Sequence, residues 1–193
     1  MQKRIVGIVL SAMLFALSFS VEAQPKKIPR IGFLGGSSAS AYSSFIEAFR
    51  QSLRDVGYEE GQNIAIDYRY GEGKRDRLPD LSDDLVRHKV DVIVVSGALA
   101  ISALRNATKT IPIVMTTVED PLGQGFVASL ARPGGNITGL TNLAPELSGK
   151  RLELVKETFS KISRVAVLWD PTTPGSVVTF KETQVVAPAL GVQ

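Results

Sequence analysis

The chain has no cysteine, one histidine and one tryptophan among its 193 residues. Without cysteine, no disulfide can brace the fold and no thiol can serve as nucleophile, metal ligand or lipid anchor, so stability must come from an apolar core. His88 has no second histidine and no cysteine to join it, which argues against a metal or catalytic role. The net charge is only +3, and the basic residues are scattered rather than gathered in a stripe, which argues against a nucleic-acid surface. The glycine-rich stretches lack the phosphate-binding spacings. Ile31-Gly32-Phe33-Leu34-Gly35-Gly36 is not GxGxxG, and Gly71-Glu72-Gly73-Lys74 lacks the rest of a P-loop. There is no GxSxG elbow either. No metal, no cofactor and no catalytic constellation is expected, so binding is favoured over catalysis.

What is present begins with an export signal. Lys3 and Arg4 form a positive n-region, and Ile5 to Phe19 form an apolar core shorter than the roughly 20 residues that cross a bilayer. Val21-Glu22-Ala23 places small residues where a signal peptidase cleaves, after Ala23. In a bacterium with two membranes the expected location of residues 24–193 is the periplasm.

Strand and helix patterns then alternate. Ile31 to Leu34 is a short apolar run ended by Gly35-Gly36 and a serine-rich loop; Phe45, Phe49, Leu53 and Val56 form a helical stripe stopping at Gly57. Ile64, Ile66, Tyr68 and Tyr70 alternate with polar or small residues as in a half-buried strand. Leu78, Leu81 and Leu85 mark a second helix. Val90 to Val95 reads as a central parallel strand covered on both faces. A third helix carries Ile101 and Leu104, Ile111 to Met115 is a fourth strand, and Phe126, Val127 and Leu130 suggest a fourth helix before the Pro133-Gly134-Gly135 turn. This order predicts an α/β fold with a doubly wound parallel sheet. Asn142 to Pro145 reads as a crossover. Beyond it are expected a helix bearing Ser148, Leu152, Val155, Phe159 and Ile162, a strand over Arg164 to Trp169, and a helix over residues 176–190.

Five segments in matching order carry a family resemblance: IGFLGGSS at 31–38, DVIVVSG at 91–97, IPIVMTTVEDP at 111–121, LARPGGNITGL at 130–140 and RVAVLWDPTTP at 164–174. Together they resemble the substrate-binding family of ABC transporters whose better-known members bind tryptophan, tyrosine or related small solutes. The resemblance implies a type I periplasmic-binding fold, two α/β lobes joined by crossovers with the ligand between them. Family members continue well past this length, so the resemblance implies a complete first lobe over residues 24–143 and only the opening of a second over 144–193. It also implies a monomer that delivers a small, amino-acid-like solute to an ABC permease in the inner membrane. A sensor domain serving a signalling partner, or an inactive truncated fragment, would share the same pattern.

In open parallel sheets ligands bind beyond the carboxyl ends of the strands. The loops there supply the candidate site: Ser37 and Ser38 after the first strand, Ser96, Gly97 and Ala98 after the third, Thr117 and Asp120 after the fourth, and Asp170 after the strand ending at Trp169. Small hydroxyls, glycines and helix N-termini suit a carboxylate, and Asp120 with Asp170 suit an ammonium group. Serine and aspartate at such positions also cap helices. Trp169 could stack on a ligand ring or pack within the protein.

Overall fold

The computed structural model describes residues 27–142 and 147–193. The export signal and the Leu143–Pro145 part of the expected crossover lie outside the described residues. Five parallel strands make one sheet: β1 (Arg30–Gly35), β2 (Ala65–Tyr70), β3 (Val92–Ser96), β4 (Ile113–Met115) and β5 (Ile137–Gly139), in the order β2-β1-β3-β4-β5. The register runs Ile31 against Ile66 and Val92, Ile93 against Ile113, and Ile113 against Ile137.

Alternation along the strands sorts the core onto two faces, since successive side chains point to opposite sides of a sheet. Ile31 and Phe33 of β1 join Val94 of β3 beneath helix α1 (Ser43–Asp55), which contributes Ile46. Leu34, Ile93, Val95, Ile113 and Met115 face the other way. There they meet α2 (Leu78–Arg87) through Leu78 and Leu85, and α3 (Ala98–Ala107) through Ile101 and Leu104. Helices on both faces make the sheet doubly wound, as the strand–helix alternation predicts. β2 is an edge strand, half-buried along its whole length. Its charged residues are paired there, Asp67 with Arg30 at 2.9 Å and Arg69 with Asp84 at 2.7 Å.

Several expectations need correction. No helix forms around Phe126 to Leu130; the segment is a series of turns in which Phe126 and Val127 are buried and Leu130 is exposed. Pro121, Gly123, Gly125 and Pro133 break the helix that the apolar spacing suggests, and Gly125 has a positive φ. The same region adds β5, a strand not expected from Ile137-Thr138-Gly139 because three residues beside two glycines read as a turn. Val56 and Phe159, assigned to apolar helix stripes, are exposed C-cap residues.

Past the crossover, α4 (Ser148–Thr158) and α5 (Pro174–Val186) pack on one another. Arg164 to Trp169 is not a strand of any sheet, and Leu168 is fully exposed. The segment has β propensity but only the beginning of a ladder. The Val165 amide donates to the Gln193 carbonyl at 2.7 Å, and the Gln193 amide donates to the Ser163 carbonyl at 2.9 Å, the slanted pattern of a parallel pair.

Candidate functional site

The strand order places β1 between β2 and β3, so the chain leaves β1 in one direction and β3 in the other. A crevice opens at such a switch point beyond the carboxyl ends. A cavity of about 450 Å³ lies there. Its floor comes from Gly36 and Ser37 after β1, Gly73 and Arg75 after β2, and Ser96 to Ala100 at the β3–α3 turn; Thr173 and Pro174, at the start of α5, form the facing wall.

The floor is a continuation of the sheet ladder. The amides of Gly71, Glu72 and Gly73 donate to the carbonyls of Gly35, Ser37 and Gly36 at 2.8, 3.2 and 3.0 Å, so the two loops after β1 and β2 are tied edge to edge. Gly97 must be glycine in practice: it turns β3 into α3 with φ +95°, a conformation that side chains resist. That turn directs the first amides of α3 into the cavity, where the helix end favours a negatively charged group. No side chain caps this helix. Tyr42 adds an aromatic edge to the cavity, its ring held against Gly35 and stacked on Tyr70.

Of the candidate residues, Ser37, Ser96, Gly97 and Ala98 come together in this floor. Ser38 lies beside it, where its hydroxyl meets that of Ser40 at 2.9 Å and accepts the Ala41 amide at 3.3 Å. Thr117 is placed toward Asn142, whose side-chain amide donates to it at 3.4 Å. Asp120 accepts the Gly123 amide at 2.8 Å and has φ +44°, closing a turn away from the cavity. Trp169 stacks on Phe180, ring centres 4.4 Å apart. The single histidine, His88, meets the Asp84 carbonyl at 2.8 Å at the end of α2.

Asp170 reaches the site indirectly. Its carboxylate accepts from the Thr172 amide at 2.8 Å, from the Thr172 hydroxyl and from the Thr173 hydroxyl at 2.7 Å, and it faces Arg75 at 3.4 Å. The two threonines, with a smaller contribution from Arg75, hold its carboxyl at about 2. Because the folded value lies below the ordinary aspartate value, the stabilisation is complete above roughly pH 4 and is lost as pH falls through about 2. The melting-temperature difference between the parent and Asp170→Asn is therefore expected to stay constant from pH 7 to about 4 and to shrink below pH 3. A difference that does not shrink between pH 4 and pH 2 would mean the threonine bonds do not form in solution.

Arg75, Tyr42 and Gly73 were not among the candidates. A usable signal existed, since in an all-parallel sheet the loop after β2 opens on the same edge as the loops after β1 and β3. The Glu119 carboxylate, in the segment after β4, is also engaged. It accepts from the Asn142 side chain at 3.0 Å and lies against Gly175, where an added Cβ would come within 2.3 Å of it.

Comparison with known proteins bears on the family and the fold. The family described as "ABC transporter substrate binding protein" matches residues 36–193. A tyrosine-binding protein of Clostridioides difficile (strain R20291) is 34% identical over 132 residues, 68% of this chain and 38% of that protein. Among solved structures, an ABC domain in complex with L-Trp from Streptococcus pneumonia superposes with a TM-score of 0.77 at 27% identity, covering 86% of this chain and 55% of that one. A conserved domain protein from Vibrio cholerae superposes at 0.79 with 30% identity, covering 86% and 56%. A leucine-binding protein from Thermotoga maritima, at 14% identity and a TM-score of 0.65, shares the fold. The chain thus spans about half the length of these structures and less of the curated relative. With the parallel sheet, the switch-point cavity and a match over most of its length, the chain has the type I periplasmic-binding fold and belongs to the ABC transporter substrate-binding protein family.

Proposed function

We propose that this protein captures a small amino-acid-like solute in the switch-point cavity and presents it to an ABC permease from outside the cytoplasm. The observation that carries the reading is the pairing of two walls. Ser37 and Ser96 to Ala100 offer hydroxyls and uncapped helix amides suited to a carboxylate, and Thr173 and Pro174 face them from the segment beyond the crossover. The tyrosine-binding relative and the L-Trp complex support an aromatic amino acid as the first solute to test. Residues 1–23 are the export signal in this reading, 24–143 the first lobe and 144–193 the part belonging to the second, with Thr141 to Leu143 as the hinge. A solute favours closure only through contacts it makes better in the closed form, so both walls are required.

The test is a thermal-shift screen of residues 24–193 against the standard L-amino acids. One site filled at 100 times its dissociation constant adds about 2.7 kcal/mol, a rise of about 5–10 °C for a chain of this size. L-tyrosine or L-tryptophan is expected to give the largest rise, and Gly97→Val, which strains the φ +95° turn that opens α3, to abolish it. A cooperative melt that no amino acid shifts at millimolar concentration would refute the reading.

A further inference from the structure

Arg75 belongs to the cavity floor, yet its guanidinium is bound to the opposite wall. One Nη1–H donates to the Thr172 carbonyl at 3.1 Å, and Nη2–H groups donate to the Thr172 hydroxyl and to Asp170 Oδ2 at 3.4 Å. Three acceptors on one short loop thus converge on a single side chain that lies almost a hundred residues earlier in the sequence. We propose that Arg75 is a positioning residue, whose grip on the Asp170–Thr172 loop holds Thr173 and Pro174 over the cavity and so sets how much of the protein is closed before solute arrives. The inference rests on the reading of this cavity as the solute site.

Both ends of the contact are preorganised. Arg75 begins a single helical turn, Arg75–Arg77, that leads into buried Leu78, and the Lys74 amide before it is tied back to the Gly71 carbonyl at 2.9 Å. On the other side, the Asp170 carboxylate is already oriented by Thr172 and Thr173, and its own amide donates to the Ser176 hydroxyl at 2.9 Å. Little freedom remains to be lost when the guanidinium arrives, which is the advantage of a planar, multi-donor head over a flexible ammonium. The Arg75 and Asp170 side chains are 48% and 51% exposed, so salt screens the charged part of the contact. Glu119, packed on Gly175 immediately after the wall, makes a second contact between the same two parts of the chain. The two parts of the chain are therefore held by two separate contacts, of which Arg75 makes the one that belongs to the cavity lining.

Closure that precedes binding raises affinity in proportion to the closed fraction. Arg75→Met, which keeps the length of the side chain but none of its donors, is expected to lower apparent solute affinity about fivefold by emptying that fraction. Arg75→Lys restores part of it. The decisive measurement needs no solute. The chain has no cysteine, so nitroxides can be placed cleanly at Glu47→Cys on α1 and Glu182→Cys on α5, both exposed, and their separation read by pulsed electron resonance in 0.05 and 1 M salt. The parent is expected to give one narrow distance distribution that broadens at high salt. Arg75→Met should be broad at both salt concentrations, and Arg75→Lys intermediate. A distribution for Arg75→Met as narrow as that of the parent would overturn the proposal. So would a salt response that survives in Arg75→Met, because a role in folding alone leaves that response in place. Failure of the amino-acid screen with the distances as expected would refute the solute reading and leave the positioning role standing.

Discussion

Gly139→Ala will destabilise the protein by roughly 3–5 kcal/mol, more than most single methyl additions. Gly139 has φ +140°, a region that side chains rarely enter, and an added Cβ would lie 2.0 Å from the Met115 carbonyl oxygen and 2.7 Å from its amide nitrogen. Those atoms belong to the β4 backbone and cannot rotate aside. Met115 is itself buried and pairs with Gly139 across the ladder, and the next amide, that of Leu140, donates to the same carbonyl at 2.9 Å. The methyl therefore forces β5 away from β4, exposing Ile137 and removing the anchor that fixes Thr141 and Asn142 on Val118. Urea denaturation monitored by circular dichroism checks this. A midpoint shift corresponding to less than about 1 kcal/mol would mean that β5 does not pair as described.

The second large effect is expected from Phe33→Ala, at about 3–5 kcal/mol for an aromatic truncation in a packed core. Phe33 is wholly buried at the centre of β1 and is ringed by Tyr42, Phe45, Tyr68 and Tyr70, with centroids 5.4 to 6.2 Å away. Its loss leaves these rings without a common neighbour. Tyr42, which also lines the cavity, then loses the edge contact that holds it in place. The substitution should thus weaken solute affinity as well as stability, whereas Leu104→Ala, buried on the opposite face away from the cavity wall, should lower stability alone. Equal affinities for Phe33→Ala and the parent, measured by calorimetry well below the melting temperature, would separate Tyr42 from the site.

These two residues also mark what could and could not be read from the chain. Phe33 lies in an unbroken apolar run between a Pro-Arg pair and two glycines, and such runs announce central parallel strands because both of their faces are covered. The same logic locates β3, and helical spacing locates the leucines of α2 and α3. Gly139 is the opposite case. Its strand is three residues long and sits among asparagine and glycine, and only pairing with β4 makes it a strand. The stretch around Phe126 misleads for a related reason: helical spacing of apolar residues was present, but backbone breakers on both sides decided the conformation. At the site, the loops after β1 and β3 were legible from topology alone. The loop after β2, with Arg75, was legible in the same way; the bonds of Arg75 to Asp170 and Thr172 were not, because those partners lie on a segment whose position follows from tertiary packing and not from any local pattern.

The strand order has a kinetic consequence. No strand in this sheet is bonded to a hairpin neighbour; each pairing, from β1–β2 to β4–β5, closes a loop that contains a helix or a long irregular segment. The entropy of those closures precedes any ladder energy, and domains built this way fold more slowly than helical bundles or simple hairpin sheets. Moreover β1, the earliest strand among the described residues, is an interior one, and its second flank stays open until β3 has been made. A growing or emerging chain would therefore carry the second edge of β1 open for as long as it takes some sixty further residues to appear, and β3 and β4 stay half-paired in turn until β4 and β5 follow them.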